Sequence, residues 1–240
     1  MKKGVQKIYQ QVASKYDLIN RLMTFGLDAI WRRRAAAVAA GYLPHRILDL
    51  CCGTGDMALE ISRQVPHARH IIGADFSLSM LRLAGNKPYS TKTSFVLSDV
   101  GRLPFPDGTF DLLCIAFATR NLNYGPRILK NFFREFHRVL RPGGILVHLE
   151  TSQPRLKILR ALFHRYVRSV VKPLGGRISG SSAGYKYLAF TVPRFFDAEE
   201  MSRLLRLAGF DGISHRPLLF QVAALHTARR PDAIPRTTPE

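Results

Sequence analysis

The stretch RILDLCCGTGD, residues 46–56, constrains this chain more than any other. Residues 46–51 form a short apolar run with a single acid, Asp49. They lead straight into a glycine turn and a helix-permissive segment, the order of strand, ligand loop and helix in a βα unit. Gly53 and Gly55 can take positive φ and let a ligand lie against bare backbone, and Thr54 or Asp56 is placed to cap the helix that follows. The pattern then repeats. Residues 70–74 read as a second strand leading to a helix near 79–85 with Ser77 as its N-cap; residues 94–98 and 110–117 read as the third and fourth strands. Ile128, Phe132, Phe136 and Val139, with Leu129, Phe133 and Leu140, recur every three or four residues and predict a helix with a broad apolar face. RPGG is expected to stop that helix before a fifth strand at 145–149. A helix over 197–208, closed by Gly209, precedes two runs, 212–215 and 220–227, that read as an antiparallel pair. Such alternation predicts an α/β fold with a doubly wound, seven-stranded, mostly parallel sheet.

The charges around the loop narrow the ligand. A dinucleotide-binding loop delivers a pyrophosphate to the helix N-terminus, where Asp56 would repel it, and the third glycine of that fingerprint is missing, with Ala58 the nearest candidate. No lysine follows the loop, so a Walker-type phosphate cradle is excluded as well. A ligand with positive groups remains, and S-adenosylmethionine, with its amine and sulfonium, meets that requirement. Asp75 ends the second apolar run at the place where an acid binds ribose hydroxyls. Asp99, followed by Val100, lies just past the third strand, where it could accept the adenine amine.

At 240 residues the chain can bury one substantial core. Its longest apolar stretch, residues 35–43, is far shorter than the roughly 20 residues of a membrane span, and MKKGVQKIYQ lacks the apolar centre of a signal peptide, so a cytoplasmic protein is expected. Cys51, Cys52 and Cys114 form no CxxC pair, which suits a reducing compartment and gives no reason to expect a metal. A net charge of +19 implies attraction to a polyanion. Residues 151–196 hold nine lysines or arginines and no acid, and there Leu156, Leu159, Phe163, Tyr166 and Val170 trace one helical stripe. Basic groups that flank large apolar ones predict contact with an anionic membrane surface, peripherally on its inner face. No basic-and-aromatic module of an RNA-binding type is present, so nucleic acid is not the expected partner. Residues 1–34 read as a helical lid: Val5, Ile8, Val12, Tyr16 and Ile19 share one side, and Met23, Phe25 and Trp31 would cover an apolar substrate while Arg32, Arg33 and Arg34 meet phosphate headgroups. Residues 35–228 form the catalytic domain of this reading, with 175–184 a flexible loop and 229–240 a flexible tail. Pairing with a second copy stays open.

The motifs YDLINRLMTFGLDAIWRR, LDLCCGTGD, LPFPDGTFD, FATRNL, HRVLRPGGILVHLETSQP and GYKYL, spread between Tyr16 and Pro231, give the chain a specific resemblance. It resembles the S-adenosylmethionine-dependent methyltransferases that place a carbon-bound methyl on the quinone ring in menaquinone and ubiquinone synthesis. LDLxxGTGD and RPGG point only to the broad class; YDLIN, TRN and YKYL point to this branch. The resemblance implies a Rossmann-like class I methyltransferase fold in which Thr54, Asp75, Asp99 and Val100 hold the cofactor and Asp49, Gly53 and Gly55 shape its pocket. It also implies that Arg120 and Asn121 stand beside the acceptor, a polyprenylated quinol. The chain departs from the family's pattern at Ala116, where a cofactor-contacting serine is usual, and at Ala118, Thr119, Gly180, Ser181, Phe220 and Gln221, all on the substrate side. Arg120 is the expected stabiliser of a developing phenolate, and His148 a possible base. Tyr185 and Tyr187 are candidates for the acceptor cavity wall. Other acceptors (RNA, a protein or a phospholipid headgroup) and a non-catalytic cofactor-binding module are the competing readings.

Overall fold

The computed structural model describes residues 16–89, 91–123, 125–179 and 182–232. The chain opens with α1 (Tyr16–Met23) and α2 (Leu27–Ala40), then alternates: β1 (Arg46–Leu50), α3 (Asp56–Gln64), β2 (His70–Asp75), α4 (Leu78–Ala84), β3 (Thr93–Leu97) and β4 (Phe110–Ala116). A short α5 (Thr119–Leu122) leads to α6 (Pro126–Val139) and β5 (Leu140–Thr151). The basic segment is helical over its described residues from Lys157 to Arg194. It comprises α7 (Lys157–Tyr166), a π-helical turn (Val167–Val171), α8 (Lys172–Ser179), α9 (Ser182–Thr191) and a 3₁₀ turn (Val192–Arg194). The chain closes with α10 (Ala198–Leu207), β6 (Asp211–Leu218) and β7 (Ala223–Arg229).

The strands lie in the order β3-β2-β1-β4-β5-β7-β6. All are parallel except β7, which runs antiparallel to both β5 and β6. The chain walks outward from β1 to β3, then returns to lay β4 along the other edge of β1, so the order reverses between β1 and β4. At such a reversal the connections leave in opposite directions and open a crevice beyond the carboxyl ends of the strands.

Residue alternation divides the core. Leu48, Leu50, Leu113 and Ile115 face the layer of α6 and α10, packing on Phe133, Phe136, Met201 and Leu205. Ile47, Leu112, Cys114 and Val147 face the layer of α2 and α3, packing on Trp31, Ala35, Met57 and Ile61. A separate small cluster, Ile19, Val171 and Tyr185, ties α1 to the basic helices. No described helix is long and apolar enough to cross a membrane.

Several boundaries differ from the sequence reading. RPGG does not stop α6 ahead of the strand; β5 begins at Leu140 and carries RPGG within it as an irregularity, with the register against β4 shifting between Phe110 and Leu112 and Gly143 at φ 72°. Ile128, expected on the buried face of α6, is 43% exposed. The expected loop at 175–184 is largely helix: a Cβ on Gly175 would lie 2.3 Å from the Tyr185 ring, so the glycine lets α9 pack directly on α8. The strand expected from residue 220 starts at Ala223, after a turn in which Leu219, Phe220 and Gln221 all take positive φ. Asp197 accepts the Glu200 amide while Glu200 returns a bond to the Asp197 amide, a capping box that starts α10, and Gly209 follows its end at φ 101°. Arg230, assigned to the tail, donates to the carbonyls of His137, Arg138 and Leu140. The expectations for residues 1–15, 180, 181 and 233–240 lie outside the described residues.

The antiparallel end of the sheet carries His148, His226 and His215 directly opposite one another on β5, β7 and β6, with successive ring centroids 5.4 Å apart. Burial pushes His148 well below the usual imidazole range and His226 down to about 4. Because the unfolded chain then binds more protons than the folded one, stability is complete above about pH 6.5 and falls as pH drops toward 4. Urea unfolding should lose about 2 kcal/mol between pH 6.5 and 5 from His226 alone, and His226→Asn should remove that share of the slope. A flat profile across this interval contradicts the assignment.

Candidate active site at the switch point

The site grows from the ends of β1 and β4. Cys51 and Phe117, the residues immediately after these strands, take φ of 53° and 57°, a left-handed conformation that costs a side-chain-bearing residue energy and is concentrated at functional sites. Gly53 and Gly55 follow at 54° and 82°, as the sequence predicts. Gly55 is required twice over: the Tyr89 hydroxyl donates to its carbonyl at 3.1 Å, and a Cβ there would sit 2.0 Å from that hydroxyl oxygen. A Cβ on Gly53 would meet nothing within 4 Å, so open space lies against the backbone where a ligand can rest. Asp75, at the end of β2, fixes the turn by accepting the Gly53 amide at 2.9 Å and the Ser77 amide at 2.8 Å. The expected helix caps are not made. Gly55 occupies the N-cap of α3, while the Thr54 hydroxyl donates to Asp17 of α1 at 2.5 Å and Asp56 pairs with Lys87. Ser77 does hold the N-cap position of α4, although its hydroxyl meets Ser79 instead of a backbone amide.

The charges around the turn are unevenly paired. Lys87 bridges Asp56 and Asp17, the latter at 3.0 Å. Arg32 lies buried against Asp28 at 2.6 Å, 3.9 Å from Asp56, with its guanidinium 5.3 Å from the centre of the Phe117 ring. This corrects the expectation that Arg32 meets headgroups; only Arg33 and Arg34 of that triplet are exposed. Asp49 is left over. It is buried, and no donor among the described residues reaches either oxygen within hydrogen-bonding geometry. Burial pushes its carboxyl up to about 8, while the Arg32 charge and the Ala58 amide, which stops short of hydrogen-bonding geometry, pull the other way. Burial also raises Asp75. Buried carboxylates that are held in no ion pair suit a positively charged ligand and repel a phosphate, which is the fit S-adenosylmethionine requires.

Two cavities open here. The smaller encloses about 470 Å³ and is walled by Cys51, Gly53, Asp75, Met80 and Ala116. The larger encloses about 1160 Å³, open mouth included, and is walled mostly by apolar groups such as Met23, Trp31, Phe163 and Val167. Tyr16, Phe117 and Asn121 belong to both walls, so the cavities meet at these three side chains. Of the residues expected to hold the cofactor, Gly53 and Asp75 face the smaller cavity, while Asp49, Thr54 and Gly55 support the turn from behind. Asp99 and Val100 stand off that wall: Asp99 is exposed and accepts the Gly101 amide, and Val100 is in the core.

On the acceptor side, Arg120 and Asn121 come together at the start of α5. Arg120 donates to Thr191 at 2.7 Å, and its Nε is buried with no partner among the described residues. Tyr185 and Tyr187 line the larger cavity. His148 does not: it bonds the Thr119 hydroxyl at 2.9 Å and touches neither cavity. Among the cavity groups not foreseen are Tyr16, Arg32, Phe117 and Glu150. Glu150 stands at the end of β5 as Asp75 does at the end of β2, and the rule that singled out one strand-end acid applies to the other.

The profile of the ubiE/COQ5 methyltransferase family matches residues 1–230. A demethylmenaquinone methyltransferase of Thermus thermophilus is 40% identical over 226 residues, covering 93% of this chain and 100% of the relative. A ubiquinone/menaquinone biosynthesis C-methyltransferase UbiE of Geotalea uraniireducens is 37% identical over 230 residues, covering 94% and 96%. Among solved structures, the [4+2]-cyclase SpnF superposes with a TM-score of 0.65 at 19% identity over 95% of this chain and 96% of that one. Human N-acetylserotonin methyltransferase in complex with SAM gives 0.62 at 17% identity over 91% of this chain and 58% of that one. At such identities these two share the fold alone, whereas a profile match over nearly the whole length and relatives at 37% and 40% identity carry more: the chain belongs to the ubiE/COQ5 methyltransferase family.

Proposed function

We propose that this methyltransferase puts a methyl group on a ring carbon of a polyprenylated quinol, converting demethylmenaquinol to menaquinol. The observation that carries this reading is the junction of two unlike cavities, one small and acid-backed, one large and apolar, at Tyr16, Phe117 and Asn121. S-adenosylmethionine, when bound, supplies a methyl group activated by a sulfonium. Asp75 would take the ribose hydroxyls, Asp99 and Val100, just past β3 and outside the smaller cavity's wall, the adenine edge, and the turn of Gly53, Thr54 and Gly55 over Asp49 the cationic end. A ring carbon is a weak nucleophile unless a neighbouring oxygen carries charge, so the chain must stabilise a phenolate and hold the ring in line. The unpaired Nε of Arg120 suits the first task, since a guanidinium stays charged, and Asn121 at the junction suits the second. The relatives' names favour a quinone acceptor over RNA, protein or a headgroup.

The same reading places the protein on an anionic bilayer. Ile158, Leu162 and Phe190 are 77%, 58% and 59% exposed, beside exposed Lys157, Arg165, Arg168 and Lys172. Phe163, Tyr166 and Val167, from the same helical run, line the acceptor cavity. Phe25, 80% exposed at the end of α1, lies 6.1 Å from the Tyr166 ring, and the Tyr166 hydroxyl donates to the Met23 carbonyl. A prenyl tail could pass from the bilayer between α1 and α7 while the ring enters the cavity, with residues 16–34 as the lid.

Three outcomes follow. Arg120→Ala should lower turnover with an isoprenoid naphthoquinol by about 10²–10³-fold while S-adenosylmethionine still binds; wild-type turnover removes Arg120 from the mechanism. Asp49 has a folded pKa above its unfolded value, so its contribution to stability is present at low pH and is lost as pH rises through about 8. Asp49→Asn should therefore melt higher than wild type at pH 8–9 without ligand, yet bind S-adenosylmethionine about 10-fold or more weakly. A lower melting temperature or undiminished affinity contradicts this role. On vesicles rich in phosphatidylglycerol, wild type should float in low salt and Ile158→Glu/Leu162→Glu should stay in the pellet fraction; equal flotation of both, or binding to RNA in place of vesicles, excludes this surface.

A further inference from the structure

We propose that Glu150 is the group that takes the acceptor's hydroxyl proton, with Arg120 beside it to hold the resulting oxyanion. This rests on the quinol-methylating reading above and adds the base that reading lacks. The ring carbon becomes nucleophilic when a neighbouring hydroxyl loses its proton, so a side chain on the cavity wall that takes this proton would promote the reaction. The other candidates there are unsuited. Arg120 and Arg32 carry no lone pair to receive a proton. Burial raises the phenols of Tyr16, Tyr185 and Tyr187, which keeps them protonated near neutral pH. Asp28 is held in an ion pair with Arg32 at 2.6 Å and takes the Thr24 hydroxyl at 2.8 Å. His148 is on neither cavity wall.

Glu150 differs from all of these. It is 2% exposed, lines the larger cavity, and is positioned by three donors: the Thr151 amide and hydroxyl on Oε1 at 2.7 and 2.9 Å, and the Arg120 amide on Oε2 at 3.1 Å. Oε2 therefore keeps a lone pair. These bonds fix the carboxylate on the residue whose guanidinium has the unpaired Nε, so proton acceptor and oxyanion donor are held on one rigid corner between β5 and α5. Burial also raises its carboxyl, and the Arg120 charge draws it back, which leaves a stronger base than an exposed glutamate. In the step, the quinol O–H bond breaks with its electron pair left on oxygen, and the proton bonds to Oε2; the ring carbon then forms its bond to the methyl group as the methyl–sulfur bond breaks, the electron pair of that bond staying on the departing sulfur. When the methylated ring regains aromaticity, its displaced carbon-bound proton passes to water and the proton on Glu150 returns to the oxygen.

The test is the pH profile of kcat/KM with a prenylated naphthoquinol, measured for wild type, Glu150→Gln and Thr151→Val, alongside calorimetric binding of S-adenosylmethionine. Wild type should lose activity on the acid side through one ionisation. Glu150→Gln should bind the methyl donor with unaltered affinity but fall about 10²–10⁴-fold in kcat. Thr151→Val removes one hydrogen bond to the ionised carboxylate and should move the acidic limb to higher pH. Glu150→Gln with wild-type kcat overturns the proposal, and so does an acidic limb that stays in place in Thr151→Val, a readout that survives if Glu150→Gln is inactive or misfolded. If wild type methylates no quinol at all, the acceptor reading itself fails; turnover by both wild type and Glu150→Gln sinks only the base.

Discussion

The arrangement depends on one electrostatic fact: Asp49 is buried under the glycine turn with no hydrogen-bond donor among the described residues to satisfy it. An isolated carboxylate in such a place is costly, and the protein meets the cost by raising its pKa to about 8. A cation arriving over the turn would relieve this, so the site is poised for a positive ligand before any ligand is present. Elsewhere the chain pairs its acids. Lys87 answers Asp17 and Asp56, Arg32 answers Asp28, and the two amides of Gly53 and Ser77 answer Asp75. Asp49 alone among these has no such partner, and stability is given up there in a manner typical of functional sites.

The pairing also joins the cofactor turn to α1. Thr54 donates to Asp17, and Lys87 reaches across to the same carboxylate, so the first described helix is fastened directly to the loop. Tyr16 precedes Asp17 and stands on the wall between the cavities, while Ile19, one turn on, packs with Val171 and Tyr185 of the basic helices. One short helix thus contacts the methyl-donor side, the acceptor side and the segment proposed to meet the bilayer.

Much of the architecture could be read in the sequence because it obeys simple periods. The strand runs at 46–51, 70–74 and 110–117, and the apolar stripe of Leu129, Phe133 and Phe136, are local patterns that tertiary packing merely completes. Positive φ at Gly53 and Gly55 was legible for the same reason. The misreadings arise where a residue's partner is far away in the chain. Thr54 has the chemistry of a cap, but Gly55 takes the N-cap position and the Thr54 hydroxyl donates to Asp17 instead. Arg32 belongs to an RRR run that looks like a surface, yet helical spacing turns it onto Asp28 and Phe117. Gly175 looks like a flexible loop until the Tyr185 ring needs the space. Glu150 satisfies the same strand-end rule as Asp75, but no glycine turn follows it to mark a site; its meaning comes from the Arg120 amide, thirty residues away.

The fold alone does not choose the chemistry, as the likeness to a cyclase and to an N-acetylserotonin methyltransferase makes plain. What chooses it is the charge beneath the turn. Titration calorimetry of the purified protein with S-adenosylmethionine and NADH side by side tests this most directly. The account predicts saturable one-to-one uptake of the sulfonium and no heat from the pyrophosphate-bearing cofactor. Binding of NADH at this site, or no uptake of S-adenosylmethionine, would contradict it.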